Sequence, residues 1–249
     1  MPKSARPITG PIRAAALLLA CVLTALSLYL ALQVFPQPLF HYHETWSNIG
    51  LYSDRPIPSA ARAYVDSARA LLARSPWNDT ILEHRIFICQ SRWRFALLTG
   101  TAYKVGGQNS VYLARNIFIR PVNWASGRLI SHSGREVPGD RTLPYYFAHE
   151  ITHGLTMKHL GRLAYYRLPS WKREGYADYI GRPRFDFPAM LDAFRNGDPN
   201  MDPLASGFYW RYQLMTQYLL EVRKLPPDAI FQNQFPVPAL EAELRSLPL

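Results

Sequence analysis

The chain has 249 residues, of which 48% are hydrophobic and 18% charged. This is the composition of a folded globular protein and excludes a disordered or fibrous one. Its net charge of +10 is dispersed without a long basic run, which fits a solvated surface beside a bilayer and argues against nucleic acid as a partner.

Residues 1–13 form a basic start carrying Lys3, Arg6 and Arg13. From Ala14 to Leu32 there is no charge, and the uncharged stretch continues past Phe35. As a helix it is long enough to cross the roughly 30 Å hydrocarbon core. Residues 14–35 are therefore expected to be a transmembrane anchor in contact with the lipid bilayer. A cleaved signal peptide would have a shorter apolar region closed by small residues, whereas this run ends in Leu30, Leu32 and Phe35. Basic residues before the span and Phe40, Tyr42 and Trp46 after it fit a cytoplasmic N-terminus and an extracytoplasmic remainder. Cys21 falls inside the apolar run and Cys89 far outside it, so a disulfide framework is excluded.

Pro36, Pro38, Pro56 and Pro58 make residues 36–58 a stiff, mostly non-helical lead-in. Residues 59–249 are expected to fold as one domain. Ser59 to Arg74 has Ala, Val and Leu at helical spacing and stops before Pro76. His84 to Gln90 and Ala114 to Val122 are rich in β-branched and aromatic residues and are expected to be strands. Residues 123–141 have loop composition. Thr142 is placed to cap a helix running to about Leu160 and stopped by Gly161. A shorter helix is expected from about Trp171 to Ile180. Residues 182–205 hold four prolines and are expected to be mainly loop, and Phe208 to Lys224 a long helix ending before Pro226-Pro227. Strands first and helices later give an α+β class.

The chemistry concentrates in His149-Glu150-Ile151-Thr152-His153. Four residues on a helix rotate by about 400°, so both imidazoles share one face and can bind one zinc ion. Glu150, offset by about 100°, reaches past the metal to act as general base on its water. Pro144, Tyr145, Tyr146, Phe147, Ala148, Ile151 and Leu155 make the helix largely apolar and so buried. Buried histidines and a buried glutamate need partners, which a metal supplies. The best third ligand is Glu174, far enough along the chain for a second helix to return beside the first. Asp178, one turn beyond it, can accept the distal N–H of a ligand histidine.

HEITH followed by WKREGYADY resembles the gluzincin metallopeptidases, the thermolysin-like group with an HExxH helix and a downstream glutamate. The likeness covers residues 143–222, about a third of the chain. It implies a zincin-like peptidase domain, with His149, His153 and Glu174 on Zn2+, Glu150 as base and a peptide or protein as substrate. A tyrosine on the following helix would stabilise the oxyanion; Tyr209 is the first choice, ahead of Tyr212 and Tyr218. His159 stands where metzincins have a ligand, but Thr156 replaces their turning glycine. On a straight helix His159 lies about 600° beyond His153, off its face. By the zincin likeness, the strand around Leu113 to Ile119 is expected to border the cleft and pair with an extended substrate. His41, His43, His84 and His132 lack ligand spacing. The rival readings are an idle zinc-binding scaffold of the same fold and an intramembrane protease. Arg141 and Lys158 flanking the motif exclude the second.

Overall fold

The computed structural model describes residues 10–100, 105–110, 114–182 and 186–248. The chain opens with helix α1 (Gly10–Val34). Its 22 residues from Arg13 to Val34 have a mean hydropathy of 2.4 and are long and apolar enough to cross a membrane. Nearly all its described side chains point outward, Leu17, Leu19 and Leu23 among them, and only Gln33 is buried.

Residues 36–58 do more than lead in. They supply two strands, β1 (Tyr42–Trp46) and β2 (Ile49–Ser53), paired as an antiparallel hairpin. The prolines stand outside those strands, where a missing N–H breaks no ladder. Helix α2 (Ala61–Leu72) then carries the chain to β3 (His84–Ile88), parallel to β2. This is the crossover that a parallel pair needs. A second crossover runs through α3 (Arg92–Thr99) and the short β4 (Gly107–Asn109) to β5 (Asn116–Ile119), parallel to β3. β4 folds back antiparallel on β5, giving the sheet order β1-β2-β3-β5-β4. The sheet edge nearest the site is therefore Gly107–Asn109, and not the expected Leu113–Ile119. Of that expected segment, Leu113 lies outside the described residues, and Asn116–Ile119 is an interior strand. A two-stranded ribbon follows, β6 (Val122–Asn123) with β7 (Arg128–Leu129), inside the stretch expected to be loop.

Alternation along the strands sends side chains to opposite faces. Ile49, Leu51, Ile86, Ile88, Ile117 and Ile119 form one core with α2 and the helices beyond residue 142. Phe87 and Phe118 point the other way, against Phe40 and against Phe95 and Leu98 of α3. The sheet thus lies between α3 and the main helical layer.

That layer contains α4 (Leu143–Leu160), α5 (Arg162–Arg167), α6 (Ser170–Gly181), α7 (Phe187–Arg195), α8 (Pro203–Ser206), α9 (Trp210–Gln217), α10 (Pro227–Gln232) and α11 (Val237–Ser246). α4 matches its expected bounds, with Gly161 at φ 83° after it; Thr142 stands at the N-cap position, but its side chain makes no capping hydrogen bond. The expected loop over 182–205 contains α7 and α8. Asp186 and Asp202 cap them by accepting hydrogen bonds from Ala189 N and Leu204 N, and their prolines sit in first turns, where no N–H is needed. The helix expected over 208–224 is shorter in α-form. It begins at Trp210, and beyond Gln217 it widens into a π-turn over Tyr218–Val222.

Candidate metal centre

Every residue of α4 from Tyr145 to Met157 is buried, so its polar side chains must find partners inside the protein. α6 lies against it, and α9 lies against α6. Gly175 permits the second approach, because a Cβ there would stand 2.5 Å from the Tyr212 carbonyl oxygen and 2.5 Å from Thr216 Oγ1. With α6 held this way, Glu174 faces the two histidines of α4.

The three ligand candidates converge. His149 Nε2 lies 3.2 Å from His153 Nε2, and Glu174 Oε2 lies 3.5 Å from each nitrogen. The rings stand at 88° to one another, edge to face and not stacked. This group could hold a metal ion. The surrounding charge favours a cation as well. Burial opposes protonation of His149, but its contacts with the Asp178 and Glu174 carboxylates outweigh that and push its pKa up to about 10. Burial would raise Glu174, yet the facing His153 and His149 hold it well below the usual carboxylate range. Carboxylates that draw a proton onto a buried imidazole would equally stabilise a metal cation between them.

Each histidine is supported from behind. His149 Nδ1 lies 2.9 Å from Asp178 Oδ1. Asp178 is fully buried and accepts hydrogen bonds from Tyr145 Oη at 2.5 Å and Arg182 Nη2 at 3.1 Å. Its pKa falls to about 2, because contacts with His149 and Arg182 overcome burial. Arg182 continues the chain of contacts to Asp140 and, at 2.8 Å, to Gln213 Oε1. His153 Nδ1 is 3.0 Å from the Tyr165 hydroxyl. Tyr165, on the six-residue helix α5, is a site residue that sequence reasoning missed; no spacing or motif marks it.

Glu150 is 6% exposed and shares an open cleft of about 570 Å³ with the three convergent residues, Tyr165 and Tyr209. Burial raises its pKa, against the lowering influence of the two histidines. Its carboxylate lies under β4: a Cβ on Gly107 would come within 2.9 Å of Glu150 Oε1. Asn109 Nδ2 donates to the Glu150 carbonyl at 2.7 Å and ties the edge strand to α4. Tyr209 lies just before α9, its ring parallel to that of His149 at 6.3 Å, and Tyr212 stacks on it from outside the cleft wall. Tyr218 donates to Glu243 instead. His159 is engaged elsewhere, 2.6 Å from Asp228 and stacked on Trp77, so it does not join the group. A larger cavity of about 880 Å³ lies apart from these residues, around Trp171, Phe231 and Phe235. It lacks the convergent donors. Comparison with known proteins finds no family model that matches the chain and no curated protein significantly similar to it.

Proposed function

We propose that the chain is a membrane-anchored zinc peptidase of the zincin type, with His149, His153 and Glu174 on the metal and Glu150 as general base. One observation carries this reading: three donor atoms from two helices form a triangle with edges of 3.2 and 3.5 Å. Zinc with tetrahedral bonds of about 2.0–2.1 Å spaces its ligand atoms about 3.3–3.4 Å apart. Imidazole and carboxylate are donors this ion accepts, and three protein ligands would leave its fourth position for water. When bound, zinc would supply Lewis acidity, acidifying water and polarising the scissile carbonyl.

The protein's own groups do the rest. Glu150 accepts a proton from the attacking water and returns it to the departing amine. Its raised pKa brings it closer to neutral pH, where such transfer is most effective. Burial raises the pKa of Tyr209, so its hydroxyl keeps its proton and can donate to the developing oxyanion. The backbone edge of Gly107–Asn109 borders the same cleft and offers an extended peptide a strand to pair with. α1 would tether the enzyme, with the basic N-terminus cytoplasmic and the cleft outside.

The test is full-length protein in nanodiscs presented with a broad peptide library, wild type beside Glu150→Gln. Cleavage by the wild type, and its loss in a variant that still binds zinc, is expected. Turnover retained in Glu150→Gln rules the mechanism out.

A further inference from the structure

The junction between α1 and the rest of the protein is a docked joint. Gln33, 5% exposed, donates through Nε2 to the Leu98 carbonyl at 2.7 Å and accepts from Ser110 Oγ at 3.2 Å. The fully buried Asn116 donates through Nδ2 to the carbonyls of Gln33 at 2.8 Å and Val34 at 3.2 Å. These bonds use otherwise orphaned carbonyls at the end of α1 and fix its direction against α3 and β5. Ser110 directly follows the cleft-edge strand β4, so the same joint sets the cleft's height above the end of α1.

α3 also presents an unusual outer face. Phe95 and Leu98 fill the core under the sheet, while Trp93 is 58% and Leu97 38% exposed, one helical turn apart. Phe35, at the end of α1, is 64% exposed. Trp93 and Leu97, neighbours on one exposed helix face, call for a covering partner.

Position identifies the partner. The span Arg13–Val34 is 22 residues, about 33 Å of helix against a hydrocarbon core of about 30 Å. Gln33 therefore stands at the hydrocarbon boundary and Tyr29 about 6 Å deeper. Gln33 Nε2 holds the Leu98 carbonyl, and a Cβ on Gly100, just past α3, would stand 3.6 Å from the Tyr29 hydroxyl, so the C-terminal end of α3 is at that boundary or just inside it. Leu97 is within a turn of it. Trp93 is about 6 Å further along α3, no more than the roughly 5–7 Å depth of the headgroup layer. Tryptophan with aliphatic neighbours at this depth suits the interface, where an apolar body and a polar N–H are both accommodated.

We infer that the outer face of α3, with Trp93 and Leu97, lies in the bilayer interface and seats the protein on the membrane as a second contact beyond α1. This rests on the anchor reading, and the experiment separates the two. Nitroxide labels are placed singly at Leu97→Cys, Trp93→Cys, Leu23→Cys in α1 and the exposed Ala70→Cys in α2, on the opposite face of the sheet. The background is Cys21→Ala; Cys89 is buried and leaves no competing thiol. Full-length protein in phosphatidylcholine–phosphatidylglycerol nanodiscs is then probed with oxygen, which partitions into lipid, and with a water-soluble nickel chelate.

Labels at 93 and 97 are expected to lose accessibility to the chelate and gain it to oxygen, as the label at 23 does, while the label at 70 stays open to the chelate. Labels at 93 and 97 that match 70, with 23 in lipid, overturn the seating and leave the anchor standing. A label at 23 open to the chelate overturns both. Labels at 93 and 97 closed to both reagents also overturn the seating, because the face is then covered by a second copy of the chain.

Discussion

Replacing Tyr165 with Phe removes one oxygen from the molecule and nothing else. That oxygen lies 3.0 Å from His153 Nδ1, inside a buried pair. With a metal on His153 Nε2, Nδ1 carries the ring's proton and the phenol oxygen accepts it, which fixes the tautomer and the ring's orientation. Removing such a supporting partner weakens metal affinity about 10- to 100-fold, or about 1.4 to 2.8 kcal/mol at roughly 1.4 kcal/mol per tenfold. An independent route gives the same size, since leaving a buried N–H without an acceptor costs about 1–3 kcal/mol. Tyr165→Phe should therefore bind zinc about 10- to 100-fold more weakly in competition with a chromophoric chelator. Its far-ultraviolet circular dichroism should be unchanged, because the ring and its packing remain. An affinity within about twofold of wild type, well below the expected loss, would refute the idea that the phenol positions His153. Asp178→Asn is a less selective probe of the same principle. Asp178 also neutralises Arg182, which is 2% exposed, and removing one partner of a buried ion pair costs about 3–5 kcal/mol of stability.

Three further outcomes are expected. Gly107→Ala would drive a methyl to within 2.9 Å of Glu150 Oε1 and 2.6 Å of Ile119 Cδ1. It should cut kcat about 10-fold or more by displacing the base while zinc affinity holds, and an unchanged kcat would show that Glu150 is not confined by β4. Gly175→Ala would meet the Tyr212 backbone at 2.5 Å. It should lower stability in chemical denaturation by about 1–3 kcal/mol or more, since the backbone cannot rotate away as a side chain can. The pH dependence should carry a signature of His84, whose pKa is lowered from 6.5 to about 4 by burial, with the nearby Arg115 charge adding to it. Because the fold prefers the neutral ring, this contribution is complete above pH 6.5 and is lost as pH falls toward 4, by up to roughly 3 kcal/mol. Melting curves of His84→Leu should fall less steeply than wild type across that range, and equal slopes would contradict the assignment.

The candidate metal group was legible because a helix imposes its own geometry. Two histidines four apart on an apolar stretch share a face whatever surrounds them, and Glu174 stands far enough along the chain for a second helix to return beside them. Gly161 ended α4 as its backbone freedom suggests. The edge strand was illegible for the opposite reason. Gly107-Gln108-Asn109 has no β-branched or aromatic residue, so only its pairing with β5 makes it a strand. The β1–β2 hairpin was hidden by the prolines around it and by a pattern that never alternates: β1 is almost wholly exposed and β2 mostly buried. In 182–205, Pro188 and Pro203 suggested breaks, yet each stands in a first helical turn behind a capping aspartate. Tyr165 could not have been found, since its role depends on where α5 sets a single hydroxyl. Nor could Gln33 and Asn116, whose bonds join residues 82 and 83 positions apart.

The most direct measurement is X-ray absorption at the zinc edge on purified full-length protein, wild type beside Glu174→Ala. Wild type should carry one zinc per chain with the scattering of two imidazoles and a carboxylate oxygen, and the substitution should remove that oxygen or the metal itself. Protein that takes up no zinc, or a spectrum identical in the two proteins, would contradict a cation held between α4 and α6.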